Sequence, residues 1–99
     1  MKIRNVTLDT HVNVYHKGQV ISHSFWVGGK RKSAGIIFPG SYKFMTTCRE
    51  EMRVTSGFLS VFWKNNSGSY GSGHSFRVPA NTTFKIVCDS VTEYVCIYG

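Results

Sequence analysis

The chain is poor in acidic residues, in long apolar runs, in paired cysteines and in clustered histidines, and each shortage narrows what it can be. Five Asp and Glu stand against twelve Lys and Arg, a formal charge of +7 over 99 residues. That balance favours anionic partners by long-range attraction without choosing among them. Only Lys30-Arg31-Lys32 forms a basic run, shorter than the blocks of nucleic-acid tails, and no aromatic residues interleave with it. Nucleic acid is therefore not expected as a partner. No stretch approaches the ~20 apolar residues of a membrane helix, and Met1-Lys2-Ile3-Arg4-Asn5-Val6 lacks the apolar core of a secretory signal. The expected address is the cytoplasm, with no membrane partner. Cys48, Cys88 and Cys96 are an odd count without CxxC spacing, so reduced thiols are expected rather than a disulfide framework or a zinc knuckle. His11, His16, His23 and His74 show neither HxH nor HExxH spacing. Only His16 and His23, flanking a turn at Lys17-Gly18, are placed to approach each other across a hairpin. GxSxG and phosphate-cradling GxxxxGK[ST] are absent.

Also missing is any apolar stripe with a 3.6-residue period. Apolar and polar residues alternate at period two, which predicts strands at 11–16, 19–27, 32–38, 41–44, 51–56, 58–64, 74–78, 82–88 and 93–98. Gly28-Gly29 suits a tight hairpin and Pro39-Gly40 a type II turn. Residues 65–73, Asn-Asn-Ser-Gly-Ser-Tyr-Gly-Ser-Gly, read as a mobile loop. Many short strands in one 99-residue domain predict an all-β sandwich or small closed barrel, either of which removes most open sheet edges. Residues 1–10 form an N-terminal segment, an edge strand or a dimer contact, and 11–99 form the barrel.

Two motifs stand apart. Glu50-x₆-Gly57 and Gly73-x₅-Pro79 resemble the two halves of a cupin signature, a small jelly-roll-type β-barrel that in its common form binds a metal. Phe44 and Thr46 stand where that signature has its first two histidines, Phe84 where it has the third, and Asn81 replaces a glycine. One carboxylate with two phenyl rings and a hydroxyl is no ligand set for a first-row metal. The resemblance implies that Phe44, Thr46, Glu50 and Phe84 surround one cavity. Glu51, the neighbour of Glu50 on the same strand, is expected on the opposite face.

A more specific resemblance covers residues from about Val12 to Gly99. The segments Asn13-Val14-Tyr15, Gly18-Gln19-Val20, Arg31-Lys32-Ser33-Ala34-Gly35-Ile36, Pro39-Gly40-Ser41-Tyr42-Lys43-Phe44, Glu50-Glu51-Met52, Ser56-Gly57, Ser75 to Asn81 and Tyr94-Val95-Cys96-Ile97-Tyr98 resemble the small cupin-fold pyrimidine/purine nucleoside phosphorylases of bacteria. The resemblance implies a homodimer that splits nucleosides, purine and pyrimidine alike, with orthophosphate into free base and ribose 1-phosphate in a largely hydrophobic pocket; no metal cofactor is expected because the ligands are missing. His16-Lys17 and the glycine-rich 65–73 segment depart from the family pattern.

Phosphorolysis needs a group to hold the phosphate, a negative charge near the sugar cation, and help for the leaving base. Arg31 is the candidate for phosphate because a guanidinium binds its oxygens bidentately, with Lys32 and Arg49 behind it. Glu50 is the candidate for the ribose hydroxyls and the developing cation. Phe44, Phe84, Tyr42 and Tyr98 are candidates for stacking on the base, and Tyr94 or Tyr98 for a hydrogen bond to it. The alternatives are a non-catalytic small-ligand or nucleotide-binding cupin, a metal-dependent cupin enzyme, which the missing histidines disfavour, and a nucleic-acid module.

Overall fold

Period-two alternation becomes ten strands in the computed structural model, which describes residues 1–99. They are β1 (Thr7–Tyr15), β2 (Val20–Val27), β3 (Lys30–Ile37), β4 (Gly40–Met45), β5 (Glu50–Ser56), β6 (Phe58–Trp63), β7 (Asn66–Gly71), β8 (Ser75–Val78), β9 (Thr83–Cys88) and β10 (Thr92–Tyr98). A six-stranded antiparallel sheet, in the order β1-β2-β3-β10-β5-β8, faces a four-stranded one, in the order β4-β9-β6-β7. The strands exchange backbone hydrogen bonds with neighbours distant in sequence, as the jelly-roll class of double-sheet barrels requires. No helix is long and apolar enough to cross a membrane.

The inward residues of both sheets meet in one core. Val20, Ile37, Val54, Leu59, Val61, Val78 and Ile86 are at most 1% exposed, and burying each such side chain contributes about 1.5–3 kcal/mol before entropy is counted. Cys88 and Cys96 belong to the same core as small apolar side chains, while Cys48 lies half-buried in the β4–β5 loop.

Turn chemistry fixes the hairpins. Gly28 and Gly29, at φ 57° and 79°, close the β2–β3 hairpin in which Val27 pairs with Lys30, the left-handed pair a two-residue turn requires. Gly57, which closes the first motif, turns β5 into β6 at φ 88°. A Cβ there would stand 2.6 Å from the Val91 carbonyl oxygen, so both conformation and space demand glycine. Asn81 takes the second motif's missing glycine in stride: its φ is 52°, and asparagine is among the few side chains that tolerate that region.

Four expectations change. Residues 66–71 are no loop but strand β7, paired with β6 from Phe58–Gly71 to Trp63–Asn66, because a backbone ladder needs no apolar side chains and Tyr70 anchors it against Phe76, ring centroids 4.9 Å apart. Pro39-Gly40 is not a type II turn. Gly40 has φ 154° and already pairs with Cys88, far from the ~80° of such a turn. The chain passes there from one sheet to the other, held by the Tyr42 hydroxyl on the carbonyls of Phe38 (2.8 Å) and Pro39 (3.1 Å). The strand expected from residue 11 begins at Thr7, so residues 7–10 take the edge-strand alternative, and β1 is the outer strand of its sheet. His16 and His23 do not meet. His16 sits in a 3-10 turn bonded to the Lys43 carbonyl at 2.9 Å, whereas His23 reaches the Asp9 carbonyl at 3.3 Å.

Candidate active site

Strand pairing lines up the polar residues at one end of the barrel. Tyr98 of β10 pairs with Glu50 of β5, and Ile97 with Lys32 of β3, so Arg31, Tyr98 and Glu50 form one row across three strands. One step deeper lie Ser33, Cys96 and Met52, and below them Gly35, Tyr94 and Val54. The facing wall comes from the four-stranded sheet. Phe44 and Phe84, directly paired, stack at 5.5 Å with 26° between their planes.

These walls enclose a cavity of about 170 Å³ lined by Tyr15, Ser22, Arg31, Ile37, Phe44, Met45, Glu50, Met52, Phe84, Ile86, Tyr94, Cys96 and Tyr98. A wider, shallower groove of about 510 Å³ lies on the outer face of the six-stranded sheet. Glu93 is the one lining residue with an acidic or basic side chain, so the inner cavity is the one where a guanidinium, a carboxylate and ring hydroxyls converge on an apolar space.

Each polar group there is held. The Arg31 guanidinium carbon lies 4.5 Å from the centroid of the Tyr98 ring, a cation–π contact, and its Nη2 donates to Ser24 Oγ at 3.3 Å. The Tyr98 hydroxyl and Ser33 Oγ share a hydrogen bond of 2.9 Å. Cys96 Sγ donates to Glu50 Oε1 at 3.4 Å. Burial raises the Glu50 carboxyl above the usual range, against the Cys96 hydrogen bond and the Arg31 charge, which lower it. Burial likewise raises the hydroxyls of Tyr94 and Tyr98 and the Cys96 thiol. Both tyrosines are neutral donors at neutral pH. Gly35 makes room for Tyr94: a Cβ would meet its ring carbon at 2.8 Å.

Six expected residues meet in this cavity: Arg31, Glu50, Phe44, Phe84, Tyr94 and Tyr98. Four do not. Thr46 is 1% exposed and turns its hydroxyl to the Pro79 carbonyl (2.6 Å) and the Thr82 N–H (3.0 Å), tying β4 to the turn before β9. Tyr42 is buried beside Cys88 and spends its hydroxyl on the sheet crossing. Lys32 falls on the outer face, since its neighbours Arg31 and Ser33 point inward. Arg49 donates to the Gly99 carbonyl at 3.2 Å while the Gly99 N–H bonds its carbonyl at 2.8 Å, which clamps the C-terminus. Tyr15, Ser22 and Cys96 line the cavity without having been expected there. The alternation of Val20, Ser22 and Ser24 carries the signal for Ser22. Glu51 points outward, as expected, and pairs with Arg77 at 3.0 Å.

The chain matches the family model "Pyrimidine/purine nucleoside phosphorylase" over residues 10–98. The chain belongs to the pyrimidine/purine nucleoside phosphorylase family. A member of that name from Dechloromonas aromatica (strain RCB) is 39% identical over 98 residues, 96% of this chain and 95% of that one. A crystal structure of a protein of unknown function (DUF1255) from Acinetobacter sp. ADP1 superposes with a TM-score of 0.94 at 35% identity, over 99% and 98% of the two chains. A cupin superfamily protein from Desulfitobacterium hafniense DCB-2, 13% identical with a TM-score of 0.69 over 85% and 80% of the chains, shares the fold.

The cupin fold brings with it the question of a metal. The donor set does not fit one. Phe44 and Phe84 have no donor atom, the Thr46 hydroxyl is committed to backbone groups, and no three His, Cys, Asp or Glu residues stand close enough to hold an ion.

Proposed function

We propose that this cavity carries out the phosphorolysis of purine and pyrimidine nucleosides to free base and ribose 1-phosphate, with orthophosphate as co-substrate and without a metal. The observation that carries the proposal is the row Arg31–Tyr98–Glu50 at one side of a cavity whose other side is the Phe44–Phe84 stack. Arg31, fixed on the Tyr98 face, presents its remaining N–H groups to phosphate. A phosphate oxygen forms the new bond to C1′ as the C1′–N bond breaks and its electron pair leaves with the base. The base gains the proton that the hydrogen phosphate gives up, so the charges balance. Glu50 accepts from the ribose hydroxyls and stabilises the positive charge on the sugar in the transition state. Tyr94 and Tyr98, neutral and aimed inward, donate to the leaving base. Stacking by Phe44 and Phe84 recognises a ring face and not a pattern of edges, which suits purines and pyrimidines alike.

The working unit of this reading is a homodimer. Leu8, Val12 and Val14 of the outer strand β1 are 54%, 39% and 56% exposed, more apolar surface on one sheet edge than a solitary protein ordinarily leaves open.

The decisive experiment measures release of free base from uridine, adenosine, guanosine and inosine, with and without phosphate and with a chelator throughout. Release that requires phosphate and survives the chelator supports the assignment. Absence of release, with nucleosides raising the melting temperature, overturns catalysis in favour of a binding module.

A further inference from the structure

The outer face of the four-stranded sheet, on the far side of the Phe44–Phe84 wall, carries a set of residues that phosphorolysis does not use. Lys43 of β4 and Lys85 of β9 are direct cross-strand partners, and Phe62 of β6 is the next partner of Lys85. Because Phe44 and Phe84 turn inward, these three turn outward. With Trp63, Lys64, Thr83 and Phe84, which the inner cavity also touches, they line a shallow groove of about 210 Å³. Phe62 is 43% exposed and Phe58, on the same face of the same strand, 54%. Between them Ser60 Oγ and Ser69 Oγ share a hydrogen bond of 2.8 Å.

Two features of this face work against stability. Like charges directly opposite in a sheet are destabilising, and no acidic residue lies on β4, β6, β7 or β9 to relieve Lys43 and Lys85. Lys64, at the tip of the β6–β7 hairpin, holds φ 52°, where glycine or asparagine would sit without strain. A third lysine is thus kept beside the other two at a conformational cost.

We propose that this face binds single-stranded nucleic acid, with Lys43, Lys64 and Lys85 on the phosphates and Phe62 stacking on a base. A cluster of cations beside an exposed ring on a polar sheet face supplies the two elements, phosphate attraction and base stacking, by which single strands are held without reading sequence. The expectation from sequence that basic residues and aromatics do not interleave fails here because β-pairing, not chain order, brings Phe62 beside Lys85. The inference is independent of the proposed phosphorolysis.

The test is fluorescence anisotropy of the full chain with a labelled oligothymidylate, and with an oligouridylate RNA of the same length, about twelve nucleotides each. Three phosphate contacts on a single strand give a salt slope near −2, so raising salt from about 50 to 200 mM weakens binding about 20-fold. The double variant K43E/K85E weakens it at least about tenfold more than K2E/R4E, which changes net charge equally elsewhere. Phe62→Ala weakens it about tenfold through lost stacking. Lys64→Gly weakens binding while raising or preserving the melting temperature, so a folding defect cannot produce the result. Equal loss from K43E/K85E and K2E/R4E, or no binding at low salt, overturns the proposal. So does indifference to Phe62→Ala with heparin or phosphatidylserine vesicles binding as tightly as the oligonucleotides, which would make the face a general polyanion site.

Discussion

Thr46 stands at a position where a metal-binding cupin has a histidine, yet its hydroxyl has turned away from the cavity, and Thr46→Val tests that reading. Valine has nearly the same shape, so packing is kept and only hydrogen bonds are lost. The side chain is 1% exposed, and its oxygen donates to the Pro79 carbonyl at 2.6 Å and accepts from the Thr82 N–H at 3.0 Å. Thr82 is 3% exposed, so its N–H has no other partner to turn to, whereas Pro79 is exposed and its carbonyl can take a water instead. Stranding the buried N–H costs about 1–3 kcal/mol and losing the bond to the carbonyl about 1 kcal/mol more, a loss of about 3 kcal/mol together. For a domain of this size that lowers the melting temperature by about 12–24 °C. Urea unfolding of Thr46→Val should show a lower midpoint at unchanged slope, and Thr46→Ser, which keeps both bonds, should lose only about 1 kcal/mol. At a temperature where both variants are folded, kcat/KM for a nucleoside should stay within about twofold of the parent. A stability loss under about 0.5 kcal/mol would refute the hydrogen-bond account. A fully folded variant with kcat/KM down tenfold or more would place Thr46 at the substrate.

Three further outcomes follow from the cavity. Burial raises the Glu50 carboxyl, so the folded chain binds that proton more tightly than the unfolded one. The contribution of Glu50 to stability therefore falls as pH rises from the ordinary carboxylate range through the raised value. Glu50→Gln should raise the melting temperature at pH near 7.5, the gain vanishing at pH about 3.5, while phosphorolysis falls at least about 100-fold. Arg31→Lys gives up the planar fork and the Tyr98 contact together. The KM for phosphate should rise about 10- to 100-fold, the loss of about 1.5–3 kcal/mol from a charge-assisted hydrogen bond, with nucleoside affinity measured by calorimetry nearly unchanged. Gly35→Ala drives a methyl against the Tyr94 ring, at 2.8 Å, and the Ile21 carbonyl, at 2.6 Å. It should destabilise the chain by about 1–3 kcal/mol by urea unfolding and lower kcat/KM by pushing that ring into the cavity.

The fold was legible because strand periodicity and turn residues are local signals. Gly57 and Gly28-Gly29 sit where they do for reasons of backbone angle alone, and the chain states them directly. β7 was hidden for the opposite reason. Asn66 to Gly71 has almost no apolar alternation, and its pairing with β6 is a main-chain ladder to which composition is blind. In the site, it was the resemblance to the cupin signature and not strand register that set Glu50, Phe44 and Phe84 around one cavity; these three line it, as do Tyr94 and Tyr98. The failures are long side chains whose direction depends on one step of register or on a distant backbone acceptor. Lys32 is one residue from Arg31 and points the other way, and Arg49 bonds a carbonyl 50 residues away. Tyr42 lies on the inward face, but its hydroxyl is drawn to the sheet crossing, a feature no spacing announces.

Losing the metal ligands has consequences for how the proposed chemistry is driven. A metal would stabilise negative charge, whereas the ribosyl transition state is positive. With Arg31 as the cation beside it, a phosphate dianion enters a cavity that also holds Glu50, so the bound ground state sets two anionic groups against one guanidinium. When the C1′–N bond breaks, the sugar becomes cationic between them and both anions gain an attractive partner they lacked before. Interactions stronger in the transition state than in the ground state are the ones that raise kcat. Unit charges about 4 Å apart at an effective dielectric near 20 interact by about 4 kcal/mol, about three powers of ten in rate. Phenyl rings at positions where the metal-binding cupin signature has histidines assist by keeping that region apolar, so the field is weakly screened and the base has a surface to leave along. Weak phosphate affinity is therefore the expected companion of turnover here, and a variant that removes the Glu50 charge should bind phosphate more tightly than the parent while turning over more slowly.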